Sequence, residues 1–105
     1  MAWFSRRKPA AGGRTASRDD LRHLEEFIRS RRGVEGFIEP RTTVTETTLL
    51  LIAHDGEWTR RRVDNPQVAR QFAHKLSMPI YDVALVGYPQ RMRDYNARNK
   101  NNGGG

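Results

Sequence analysis

The stretch VTETTLLLIAHDGEWTRRRV, residues 44–63, constrains the fold more than any other part of the chain. It joins a β-branched, apolar run to a second strand-like run through Asp55-Gly56, and Asp-Gly in that setting is a strong hairpin signal. A two-residue loop at Asp55-Gly56 sets the register. It places His54 opposite Glu57, Ala53 opposite Trp58, Leu51 opposite Arg60, Leu50 opposite Arg61 and Leu49 opposite Arg62. Strand side chains alternate, so the three consecutive arginines divide between two faces. Arg60 and Arg62 share a face with Trp58, Leu49 and Leu51; Arg61 joins Leu50, Ile52 and Val63.

The flanking segments supply helices and further strands. Leu21, Leu24, Phe27 and Ile28 recur at helical spacing behind Ser17 as a cap, with Asp19 and Asp20 in the first turn and Gly33 as a left-handed stop. VEGFIE, residues 34–39, reads as a short strand ending at Pro40. A second helix starts with Asp64 or Asn65 as cap and Pro66 in its first turn, carries Val68, Phe72 and Leu76 with Ala69 and Ala73 beside them, and ends before Pro79. IYDVALVGY, residues 80–88, reads as a mostly buried strand, with 80–86 entering the sheet near 57–63 through a right-handed parallel crossover. The expected fold is α+β: a small two-layer domain of order α-β-β-β-α-β, its sheet mostly antiparallel, with two helices on one face. The face with Leu50, Ile52 and Val63 is expected under the helices, leaving Trp58, Arg60 and Arg62 opposite with Leu49 and Leu51.

Size and charge bound the function. A chain of 105 residues has room for one small domain, and without cysteine it can form neither a disulfide framework nor a thiolate metal site. No apolar run approaches the roughly 20 residues that span a bilayer, and the N-terminus lacks the apolar stretch of a secretory signal, so a cytoplasmic protein is expected. The net charge is +7. Residues 1–18 hold five basic groups and no acid, residues 19–90 ten basic and eleven acidic, and residues 91–105 four basic against Asp94, giving +5, −1 and +3. The reading is a basic disordered arm at 1–18, a single near-neutral domain at 19–90, and a basic, Asn/Gly-rich flexible tail at 91–105.

Two classes of function follow. In the first, a non-enzymatic accessory protein binds RNA or an RNA-containing assembly such as the ribosome, its tails displacing counterions through Arg6, Arg7, Lys8, Arg14, Arg91 and Arg93. Trp58 would then stack on a base while Arg60 and Arg62 hold phosphates. Against this stand solvated tails without a partner, and a Trp58 covered by GYPQRMRDY folding back with Tyr88, Pro89, Met92 or Tyr95. In the second class, a protein partner or a homodimer docks on the Leu49, Leu51 and Trp58 face. Enzymatic signals are weak: His23, His54 and His74 lie on different elements without close metal-ligand spacing, and no glycine-rich phosphate loop follows a strand. No cofactor and no metal is implied.

Three likenesses accompany this reading. The α-β-β-β-α order over 19–76 resembles the double-stranded RNA-binding domain, although DNPQVARQF stands where that family places a lysine cluster at the start of its second helix. The run from GVEGFIEPRTTV to MPIYDVALVGYPQRMRDYN is similar to small conserved proteins of actinobacteria, a likeness that carries no site residues with it. The final Gly-Gly-Gly resembles the reactive end of ubiquitin-like modifiers and sulfur carriers, whose fold begins with a hairpin where this chain begins with a helix.

Overall fold

The computed structural model describes residues 18–102. Helix α1 (Arg18–Ser30) presents Leu24 and Phe27 to the core and stops where Gly33 turns left-handed at φ +61°. Three strands follow: β1 (Glu35–Glu39), β2 (Thr48–Ile52) and β3 (Trp58–Arg62), each antiparallel to the one before. Helix α2 (Pro66–Lys75) is capped by the Asn65 side chain, which accepts the Val68 N–H at 2.9 Å. The chain then forms β4 (Ile80–Asp82), the short helix α3 (Val83–Val86) and helix α4 (Gln90–Asn102). The α+β class and the order α-β-β-β-α-β hold, extended by two helices. The sheet is mixed and mostly antiparallel, in the order β3-β2-β1-β4.

The hairpin register differs from expectation by one residue, and the physical reason is the turn. A two-residue type I′ loop needs positive φ at both central residues. Among the described residues Gly56 takes φ +97° and Asp55 does not turn left-handed. The loop therefore holds three residues, His54, Asp55 and Gly56: Ala53 pairs with Glu57 through its N–H at 2.8 Å, and the Gly56 N–H returns to the Ala53 carbonyl at 2.9 Å. The Asp55 carboxylate accepts the Glu57 N–H at 3.0 Å. Ile52 thus faces Trp58, Leu50 faces Arg60, Leu49 faces Arg61 and Thr48 faces Arg62.

One residue of slip inverts the leucines relative to the arginines. Leu49, Leu51 and Ala53 lie with Val63 under α1 and α2, in a core shared with Leu24, Phe27, Ile38, Ala69 and Ala73. Leu50 and Ile52 turn to the other face, with Phe37, Trp58 and Met92. The expected division of β3 is kept: Val63 goes to the helices, Trp58 to the opposite side. Both helices cover one face as expected, and α4 covers part of the second.

Two further expectations are corrected. Residues 80–86 do not enter beside β3. Ile80–Asp82 pairs in parallel with β1, at the opposite edge of the sheet, so the crossover through α2 spans two intervening strands. Gly36 permits this approach, since a Cβ there would stand 2.7 Å from the Met78 side chain. The strand ends early because the Asp82 carboxylate accepts the Ala84 N–H at 2.9 Å and caps α3.

The second correction concerns the C-terminal segment: residues 90–102 are helical rather than a flexible tail. Met92 is buried against the Phe37, Leu50 and Ile52 face, Arg91 donates to the Ala53 carbonyl at 3.0 Å, and Arg98 donates to the Asp55 carbonyl at 2.9 Å. A helix nucleated on such anchors propagates through residues whose own propensity is low. Residues 1–17, which include most of the expected N-terminal arm and the Ser17 cap, and residues 103–105 lie outside the described part.

Gly56 carries both the turn and the docking of α4, because an added Cβ would collide with the Arg91 carbonyl oxygen and the Tyr95 side chain. Gly56→Ala is expected to destabilise the protein by about 2 kcal/mol or more, from left-handed strain plus the steric clash. Urea denaturation measures the loss, and hydrogen exchange should place the largest acceleration in α4.

Candidate nucleic-acid interface

Trp58, Arg60 and Arg62 alternate along β3 and project from the face that α4 partly covers. Trp58 packs against the cluster of Phe37, Leu50, Ile52 and Met92, and its indole N–H donates to Asn96 Oδ1 at 2.8 Å. The segment after Gly87 therefore folds back over this face, with Met92 and Asn96 as the residues that meet Trp58. An indole ring held in this way is part of the core and is not a free stacking platform.

Arg60 is also engaged. Its guanidinium forks onto Glu39, with Nε to Oε1 at 2.9 Å and Nη2 to Oε2 at 2.7 Å, while its charge sits 5.1 Å from the Trp58 ring centre. Glu39 accepts two more hydrogen bonds, from the Thr48 hydroxyl at 2.6 Å and the Tyr88 hydroxyl at 2.6 Å. Burial pushes the Glu39 carboxyl towards protonation, but the hydrogen bonds from Arg60, Thr48 and Tyr88, with the Arg60 charge, outweigh it and hold its pKa below the ordinary value. The same contact with Glu39 raises the Tyr88 pKa, and burial adds to it. Glu39 joins β1, β2, β3 and the segment leading into α4 in one polar knot.

The other expected contacts divide similarly. Arg61, on the helix side of β3, lies 3.5 Å from Asp20 of α1. Arg62 is half-buried, and its Nε has no hydrogen-bond partner among the described residues. Arg91 is a strut: Nη2 bonds Glu35 Oε1 at 2.6 Å while Nε bonds the Ala53 carbonyl. Arg93 is exposed and donates to Gln90 Oε1 at 3.0 Å. Arg6, Arg7, Lys8 and Arg14 lie outside the described residues. The Leu49, Leu51 and Trp58 docking face does not exist as one surface. Both leucines have 0% exposure beneath α1 and α2, on the side of the sheet opposite Trp58.

Neutralisation pervades the folded body. Six ion pairs among the described residues engage Arg22, Arg29, Arg31, Arg60, Arg61 and Arg91. An open groove of about 600 Å³ between α1 and β3 has among its lining residues Arg31, bonded to Glu57 at 2.7 Å, and His23, whose Nε2 is 2.7 Å from the Thr59 hydroxyl. Among the described residues no three His, Asp or Glu side chains converge on a metal position, and no helix is long and apolar enough to cross a membrane.

Glu39 and Asn96 were not singled out by sequence reasoning, Tyr88 was named only as a candidate cover for Trp58, and Arg98 was counted only as tail charge. A usable signal was present, since Met92 and Asn96, like Arg91 and Tyr95, lie one helical turn apart and so share a face.

Because the Glu39 pKa is depressed in the fold, its contribution is fully present above the unfolded value of about 4.3 and is lost as pH falls through the lower folded value. Glu39→Gln is expected to cost on the order of 2 kcal/mol at neutral pH. Chemical denaturation at a series of pH values should show that difference shrinking below about pH 4. No family model, curated protein or solved structure matches this chain, so the reading of the site rests on its own geometry.

Proposed function

We propose that the protein is a non-enzymatic accessory factor that binds RNA or a cytoplasmic RNA-containing assembly, such as the ribosome, through cationic groups at its two ends. The observation that carries this reading is the segregation of net charge along the chain, +5 over residues 1–18, −1 over 19–90 and +3 over 91–105. Among the described residues, six acidic side chains, Asp19, Asp20, Glu25, Glu35, Glu39 and Glu57, form ion pairs with arginines of the same body. The surplus belongs to Arg6, Arg7, Lys8 and Arg14 at one end and to α4 at the other, where Arg93, Arg98 and Lys100 face a single acid, Asp94.

The two ends leave the sheet at different places. The start of α1 lies beside Arg61 through Asp20, and the later turns of α4 lie beside the hairpin through the Arg98 contact with Asp55. Asp55 lies in the hairpin loop and Arg61 near the far end of β3, so the strand from Trp58 to Arg61, about 10 Å at about 3.3 Å per residue, lies between the two places. A polyanion touching both must extend across that distance, which suits a structured RNA better than a small anion. Trp58 and Arg60 are consumed within the fold and are left out of the contact.

The test is the salt dependence of binding to a labelled RNA duplex, read by fluorescence anisotropy. Affinity should fall steeply with salt, and replacing Arg6, Arg7, Lys8 and Arg14 together by Gln should reduce the log–log slope by about 3 to 4. Replacing Arg93 and Lys100 by Gln should reduce it further, by about 2. Trp58→Ala should lower thermal stability and leave the slope unchanged. Salt-independent binding, or a slope unaltered by the arm substitutions, would exclude the proposal.

A further inference from the structure

The sheet has two outer edges, and their chemistry differs. β3 carries Arg60, Arg61 and Arg62 along its length, and cationic side chains on an edge strand discourage another strand from pairing with it. The β4 edge has no such guard. From Pro79 to Gln90 the one charged residue is Asp82, and its carboxylate is occupied as the cap of α3. Around it lie four exposed apolar side chains: Leu85 at 84% exposure, Val86 at 57%, Tyr88 at 40% and Tyr81 at 37%. Residues 80–88 have the composition of a buried strand, yet within one copy only Ile80–Asp82 is used as strand.

The geometry points to a second copy of this chain as the occupant, in an isologous dimer that brings two β4–α3 rims together around Leu85. Charge favours this choice. Copies carrying +7 repel wherever cationic surfaces meet, and this rim contains no Lys or Arg. The adjoining arginines are paired, Arg91 with Glu35 at 2.6 Å and Arg60, beside Tyr88, with Glu39 at 2.7 Å. Among the described residues a polyanion finds no unpaired cation along this rim, which sets it apart from the cations proposed to bind RNA.

Backbone and area agree with a modest contact. The Pro79 carbonyl accepts the Gly36 N–H at 2.9 Å, and alternation along the parallel ladder then turns the N–H and C=O of Ile80 to the outer side, where an antiparallel strand can meet them. The four exposed fractions amount to about two whole side chains, on the order of 400 Å² per copy. Doubled by symmetry and joined by the flanking backbone, this approaches the roughly 1,200 Å² at which specific interfaces begin. The dimer is therefore expected in the micromolar range and not as an obligate assembly.

Sedimentation equilibrium of the full, nuclease-treated chain over about 5 to 500 µM tests the inference. A monomer–dimer equilibrium should appear that does not weaken between about 0.15 and 0.5 M salt, since the contact is apolar. Leu85→Asp should weaken it at least about tenfold. The thermal midpoint of the monomer should stay the same, because Leu85 is already exposed. A wild-type monomer throughout the range, a dimer that dissociates with salt, or a dimer indifferent to Leu85→Asp would each overturn it.

Discussion

The left-handed conformation of Gly56 is the constraint on which the remaining structure depends. It makes the hairpin loop three residues long, and loop length fixes the register of β2 against β3. The register in turn decides which leucines share a face with Trp58 and which lie under the helices. Since Leu49, Leu50, Leu51 and Ile52 are all fully buried, each face of β2 needs a cover, and the second face receives its own from α4. The same glycine lets α4 approach, because the Arg91 carbonyl and Tyr95 occupy the space where a Cβ would be. Turn, register and C-terminal helix are thus one coupled unit.

Arginine in the body of this protein acts mainly as an internal connector. Arg60 ties β3 to β1 through Glu39, Arg61 ties β3 to α1, Arg31 ties α1 to the start of β3 through Glu57, and Arg91 ties α4 to β1 and to the end of β2. Planar guanidinium groups suit this work, since each can fork onto a carboxylate or reach a second carbonyl. The half-exposed pairs contribute little individually; Glu39 differs, because it is mostly buried and accepts from three side chains at once.

That internal use of charge shapes what remains for partners. The proposed RNA contact uses the two stretches of net positive sequence charge, the N-terminal end and α4. The proposed self-association uses the stretch from 79 to 90 that carries no cation at all. The two proposed contacts therefore use different stretches of the chain, so that in this reading one kind of binding need not obstruct the other.

Local chemistry in the sequence was sufficient for the helix stop at Gly33, a cap at Asp64 or Asn65, Pro66, the hairpin itself, the α+β class and the alternation of Trp58, Arg60 and Arg62. Each depends on residues within a few positions of one another. The exact pairing across the hairpin was not legible, because Asp-Gly is compatible with both loop lengths and a shift of one residue reverses the faces. The place of β4 beside β1 and the ordering of α4 were decided by long-range packing: the edge of β1 was open, and Met92, Arg91, Asn96 and Arg98 found partners far away in the chain. Asn-rich composition says only that a helix has little intrinsic stability; whether it forms depends on the tertiary surface that holds its first turns.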